Sequence, residues 1–258
     1  MRLMKRILSA AAVLALSASL LVGCSSGTAS SVPVSASSAA ESTVSSVEET
    51  ASSAVDENEA AAAQLLNDLT GSYQELWPVI LADEYKQTWL DDCTALVGED
   101  NAEAAFEKLS SMVTGDVYGE DAVKAYANGG GAYFCGFTNS LATLTFDGET
   151  STISGTDKDG NVLFFHTYHY IGMEPVRGLY EFESDDADSG EFTYFFLAPD
   201  TSAETYHIEF RYGSDAEALS QYDAGEYAYW LASGISTDCD QTMIDNCIEL
   251  FCTENLAG

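Results

Sequence analysis

VLFFHTYHYIGMEPVRGLYEFESDDADSGEFTYFFLAPDTSAETYHIEFRY, residues 162–212, is a run in which rings and branched aliphatic side chains return at alternate positions, broken by short clusters of Gly, Pro, Asp and Ser. Period two is the pattern of a strand with one buried face, and the interruptions carry turn chemistry. Val162–Ile171, Gly178–Phe182, Phe192–Leu197 and Thr205–Tyr212 therefore read as strands. Upstream, Tyr133–Phe137 and Leu141–Phe146 have the same aromatic and β-branched character, and Asp147-Gly148 and Asp159-Gly160 look like hairpin turns. Six short strands in succession predict an α+β, mainly β fold: an antiparallel meander closing into a barrel.

Outward from this block the period changes to three and four. Ala60–Leu69, Tyr73–Leu96 with Pro78 near a helix start, and Ala102–Val113 read as helices. Leu66, Leu69, Tyr73, Leu76, Trp77 and Ile80 would form one buried stripe. Gly129–Gly131 reads as a junction before the strands. After them, Asp215–Tyr222 and Thr237–Glu254 read as helical, the second packing on the barrel through Met243, Ile244, Cys247, Ile248 and Phe251. Residues 60–258 are thus expected to form one domain, a barrel with N-terminal helices and a C-terminal helix.

The chain begins differently. Arg2, Lys5 and Arg6 precede an apolar run from Ile7 to Val22, which ends in Leu21-Val22-Gly23-Cys24. A basic region, an apolar region and a small residue before a cleavage point mark a processed leader. The ending resembles the bacterial lipobox, which implies a signal peptide over 1–23 and acylation (palmitate) of Cys24 as the mature N-terminus. An uncleaved anchor is the alternative, since the apolar run is near the short limit for spanning. Residues 24–59 are Ser, Ala, Val, Thr and Glu with no aromatic residue, so they read as a disordered tether. The domain is expected on the extracytoplasmic face of the cell membrane, held there by lipid alone.

Forty-two Asp and Glu against nine Lys and Arg give a formal charge of −33, and loss of the leader's three basic residues takes the mature chain to about −36. Such a field repels polyanions, so nucleic acid is excluded as a partner, and it concentrates cations. Five cysteines follow Cys24, namely Cys93, Cys135, Cys239, Cys247 and Cys252. Their odd number leaves at least one thiol unpaired within the chain, and no CxxC spacing suggests a zinc knuckle. No Gly-x-Ser-x-Gly occurs and none of the three histidines has a nucleophile beside it, so no enzyme activity is expected.

Several local strings, in order, resemble the ZinT family of exported zinc-binding proteins. They are Tyr73-Gln-Glu-Leu-Trp77-Pro78-Val-Ile80, Leu144-Thr-Phe-Asp-Gly148, Tyr168-His-Tyr-Ile-Gly172, and Val176-Arg177 with Leu179-Tyr180-Glu-Phe182. Ala198-Pro199 followed by His207-Ile-Glu-Phe-Arg-Tyr-Gly213 comes next, then Ala218-Leu219 with Tyr227–Ser233. The resemblance spans about 68–250. It implies a calycin-like (lipocalin-like) β-barrel, zinc as the bound ion, and a metal ABC transporter as the partner that takes it up. In that family one zinc-binding histidine precedes the Ala-Pro and two form a His-x-His. Here His207 keeps the first of the pair, Glu209 stands at the second, and aromatic residues around Phe195 precede Ala198-Pro199.

Read from the residues, His207 and Glu209 share one side of a strand, and if that side faces the barrel mouth they can share a divalent ion. His166 and His169 are three apart, so at most one points inward to add a third ligand. Two other readings stand beside zinc capture: a barrel without a metal site that holds a small apolar ligand inside, and a non-binding surface module.

Overall fold

The computed structural model describes residues 57–114, 133–200 and 202–256. The expected leader, Cys24, residues 25–56 of the expected tether and Gly129–Gly131 lie outside the described residues, whereas residues 57–59, expected in the tether, begin the first helix. Eight strands close a barrel: β1 (Gly71–Glu75), β2 (Thr143–Asp147), β3 (Thr152–Thr156), β4 (Val162–Met173), β5 (Tyr180–Ser184), β6 (Tyr194–Leu197), β7 (Ile208–Gly213) and β8 (Ala232–Ser236). Each pairs antiparallel with the next, and β1 also pairs with β8, so every edge is satisfied. The expected meander and barrel are present, with helices at both ends of the chain.

Three strands depart from the sequence reading. β1 occupies part of the expected Tyr73–Leu96 helix, which is divided into β1, α2 (Leu76–Ile80), a short 3-10 turn and α3 (Lys86–Val97). β3 and β8 were not expected. Tyr133–Phe137, expected as a strand, makes only an isolated parallel bridge from Phe134 to Trp230. The remaining helices are α1 (57–68), α4 (Glu99–Thr114), α5 (Ser202–Thr205), α6 (Ala216–Leu219) and α7 (Gln241–Leu256). No helix among the described residues is long and apolar enough to cross a membrane.

Alternation on the strands separates two cores. Ile208, Phe210 and Tyr212 of β7 face inward with Phe182, Phe195, Leu197, Phe164 and Tyr168. Register joins them, Phe195 opposite Tyr212 and Leu197 opposite Phe210. The rings fill the interior: Phe164 lies on Phe192 with centroids 4.0 Å apart, Phe137 meets Phe210 at 5.3 Å, and Tyr212 meets Trp230 edge-on at 5.0 Å. Burial of each such side chain contributes about 1.5–3 kcal/mol. A second core lies between the outer wall and the helices, where Trp77 and Trp89 pack on Phe251 at 4.7 and 6.0 Å. Cys93 of α3 and Cys252 of α7 meet in this seam with sulfurs 3.9 Å apart, both fully buried thiols.

The turns behave as the sequence predicts. Asp147 Oδ1 accepts from the Glu149 and Thr150 amides in the β2–β3 turn. The Asp157 carboxylate accepts from the amides of Asp159 and Asn161 and from the Asn161 side chain, and these bonds lower its pKa. Gly160 at φ 81° completes that turn.

A candidate cation site on the outer wall

His207 immediately precedes β7, and Glu209 lies one strand residue further along the same face. Because Ile208, Phe210 and Tyr212 take the interior, the alternate residues His207, Glu209 and Arg211 must lie outside. The pair therefore sits on the outer wall of the barrel and not in its mouth, a correction to the inward placement expected from the sequence.

Local backbone fixes the imidazole. Tyr206 adopts φ 66°, a left-handed conformation that non-glycine residues rarely take, and it turns the chain from α5 into β7. Thr205 and His207 then lock each other: Thr205 Oγ1 donates to the His207 carbonyl at 2.9 Å, and His207 Nδ1 donates to the Thr205 carbonyl at 2.7 Å. A carbonyl oxygen only accepts, so Nδ1 carries a proton, and in the neutral ring the lone pair is on Nε2. Nε2 faces Glu209 Oε1 at 4.0 Å, with the two side chains 18% and 43% exposed.

Asp200, from the turn after β6, and Glu254, from α7, line the same small cavity of about 90 Å³ together with Ala198 and Thr205. Burial pushes the Glu209 pKa above its usual value, against the pull of His207 and Arg177, and the Asp200 and Glu254 carboxylates push it the same way as burial. Glu209 faces the imidazole while Asp200 and Glu254 line the same cavity, and a divalent cation would relieve the repulsion among these acids. The Cys247 sulfur lies 3.9 Å from His207 Nδ1, on the side away from Glu209. Burial pushes that thiol up to about 12, so it stays protonated and is a packing neighbour.

The other two expected ligands are elsewhere. His166 and His169 lie on β4, three strands around the wall from β7, or roughly 14 Å at about 4.8 Å per strand. His166 Nδ1 meets Asp186 Oδ2 at 2.7 Å, with its ring stacked beside Phe164, and His169 Nδ1 meets Asp185 Oδ1 at 2.7 Å on the outside. They latch β4 to the β5–β6 loop, and the structure does not bring them to His207. Among the described residues, no three His, Cys, Asp or Glu side chains stand close enough to hold a metal ion as placed. Sequence reasoning missed Asp200 and Glu254. The only available signal was the acid directly after Ala198-Pro199, since nothing local to Glu254 reports that α7 carries it across to β7.

Two further cavities adjoin the outer wall. One, of about 230 Å³, is lined by Arg177, Leu179, Pro199 and Leu231 and shares Ala198, Asp200 and Glu209 with the first. The other, about 290 Å³ and apolar, lies among Trp77, Pro78, Leu81, Val113 and Phe134.

No protein-family model matches the chain, and no curated protein does. Among solved structures, the Zn(II)-bound ZinT-like domain of Streptococcus pneumoniae AdcA is similar at 16% identity and a TM-score of 0.45, over 72% of this chain and 89% of that one. Zn(II)-bound AdcA from the same organism is similar at 15% identity and a TM-score of 0.41, over 75% of this chain and 35% of that one.

Proposed function

We propose that this domain binds a divalent cation, zinc foremost, on the outer wall of the barrel between His207 and Glu209. In this reading Asp200 and Glu254 lend negative charge. One observation carries it: the Thr205 carbonyl holds the Nδ1 proton, which aims Nε2, the ring's donor atom when neutral, at a carboxylate oxygen 4.0 Å away. A backbone carbonyl on the second ring nitrogen is the usual device for orienting a metal-binding histidine. The 4.0 Å gap is too long for a hydrogen bond. It is close to the sum of Zn–N and Zn–O bonds of about 2.0–2.2 Å each, and a tetrahedral angle would draw the two atoms to about 3.4 Å.

Acylated on Cys24 and raised on residues 24–59, the domain would capture the ion outside the membrane for uptake, with a metal ABC transporter receiving it. The cargo role suits a cation-concentrating field and a site that is open rather than closed. Isothermal titration of the protein with zinc chloride tests the binding. One equivalent should bind, and His207→Ala should weaken it at least tenfold. Equal zinc affinity in the variant would rule the site out. For the anchor, Cys24→Ala should move the protein from the membrane fraction to the medium, and unchanged fractionation would refute lipid tethering.

A further inference from the structure

The cation site opens sideways into the 230 Å³ cavity, and Ala198, Asp200 and Glu209 line both. The far end of this groove carries the opposite charge. Arg177 is one of nine Lys and Arg in a chain with 42 acids, yet among the described residues no carboxylate lies within ion-pair distance of it. It is instead held by rings: the guanidinium sits 4.8 Å from the Tyr133 ring and 4.5 Å from the Tyr222 ring, and Nη2 donates to Tyr133 Oη at 2.7 Å. Its backbone is fixed too, because the fully buried Glu174 carboxylate accepts from the Val176 and Arg177 amides at 2.7 Å each.

A guanidinium has five N–H donors in a planar fork, and only one of those of Arg177 has a protein acceptor among the described residues. Such a fork matches a carboxylate, which it takes with two parallel hydrogen bonds. At the other end, His207 and Glu209 supply two ligands to an ion that normally takes four. Among the described residues, no third ligating side chain is close enough as placed.

We propose that the groove receives the ion as a chelate. A small carboxylate-bearing co-ligand, of amino-acid or hydroxy-acid type, anchors its carboxylate on Arg177 and turns its remaining nitrogen or oxygen donors to the ion held by His207 and Glu209. This deepens the cation-binding reading and rests on it. The cavity is smaller than the roughly 300–1,000 Å³ of drug-sized sites, which limits the co-ligand to a small acid. Leu179, Pro199 and Leu231 give it apolar walls. Asp200 and Glu209 stand between the two ends and repel a bare carboxylate, so co-ligand and ion must each raise the affinity of the other by the same factor.

The test is calorimetry on the full chain with four titrants: zinc chloride, L-histidine alone, citrate alone, and preformed one-to-one zinc–histidine or zinc–citrate. The acids alone should show no binding. At least one chelate should bind tenfold or more tighter than free zinc, and native mass spectrometry should retain ion and acid together in equal amounts. Whether histidine or citrate is retained distinguishes the amino-acid from the hydroxy-acid class. Arg177→Gln should collapse the chelate-to-zinc affinity ratio to about one. Arg177→Lys, which keeps charge but loses the fork, should fall between. Zinc binding with the acid stripped off, or an acid binding equally without zinc, overturns the chelate while leaving the cation site standing. Failure of both free zinc and chelates to bind removes the cation site itself.

Discussion

Replacing Arg211 by methionine should be among the most damaging single changes on the outer wall. Arg211 is fully buried on the outside of β7, opposite Phe196, beneath the segment 219–227. Its Nη1 donates to the Leu219 carbonyl, its Nη2 to the Tyr227 carbonyl, and both nitrogens reach the Gln221 carbonyl at 3.4–3.5 Å. The Tyr222 ring covers its guanidinium carbon at 4.3 Å. Methionine keeps much of the volume, so the cavity cost is small and the loss is electrostatic. Leaving two well-bonded carbonyls without a donor costs about 1–3 kcal/mol each. Part of this is offset because a buried cation no longer needs accommodation; burial already lowers the Arg211 pKa, and among the described residues its Nε has no partner. The net expectation is a loss of about 2–4 kcal/mol, a large part of a typical domain's 5–15. Urea unfolding followed by tryptophan fluorescence should show the midpoint fall at unchanged slope, and the thermal midpoint should drop by roughly 5–15 °C. A loss below about 1 kcal/mol would refute the claim that this guanidinium organises the carbonyls of 219–227.

Burial raises the Glu209 pKa from its ordinary carboxylate value in the folded protein, so this group's contribution to stability falls as pH rises through its titration. Glu209→Gln should therefore raise the thermal midpoint of the metal-free protein at pH 7 and abolish the further rise that zinc produces; a lower metal-free midpoint would contradict this account. His166→Ala and His169→Ala should each leave zinc affinity within about twofold and cost no more than about 1 kcal/mol, since their aspartate partners are more than half exposed; a tenfold loss of zinc affinity would restore them as ligands. Diamide treatment should join Cys93 to Cys252, detected as the loss of two hydrogens by intact mass and a linked peptide after digestion, because sulfurs 3.9 Å apart need only a small rotamer change. The bridge would close a long loop and stabilise the fold by about 3–5 kcal/mol, whereas recovery of both as free thiols after oxidation would exclude it.

β4, β5, β6 and β7 were legible because their inward positions are large: Phe164, Tyr168, Phe182, Phe195, Phe210 and Tyr212 mark period two without help. β3 and β8 were not, because packing there demands the opposite. A Cβ at Gly155 would meet Leu141 and Phe164 carbons at 2.4 Å, and one at Gly234 would meet Ile208 at 3.1 Å. Inward positions so crowded by neighbouring rings carry no hydrophobic signal of their own. β1 was hidden by a coincidence of spacing. Leu66, Leu69 and Tyr73 belong to the barrel core, whereas Leu76, Trp77 and Ile80 belong to the helical one, and the two sets happen to join at helical intervals across Gly71, which opens β1 with a φ of 146°. A stripe read along the chain cannot show that it serves two cores.

The same limit explains the site. Alternation showed that His207 and Glu209 share a face, but alternation alone does not say which face is inside. The residues between them decide it: Ile208 and Phe210 are fit for the ring-filled interior, and an imidazole and a carboxylate placed there would lose their hydration among Phe195, Tyr212 and Phe137 with no polar partner in return. Once the polar pair is outside, its remaining partners must come from whatever covers the wall, and these are the turn bearing Asp200, the helix bearing Glu254 and the loop bearing Arg177. On the proposed reading, selectivity would rest on these covering elements rather than on the barrel. Exchanging Asp200 or Glu254 for the amide should retune which cation is preferred while leaving the barrel's stability almost untouched, and a change of global stability as large as that at Arg211 would show that the covering elements are part of the scaffold.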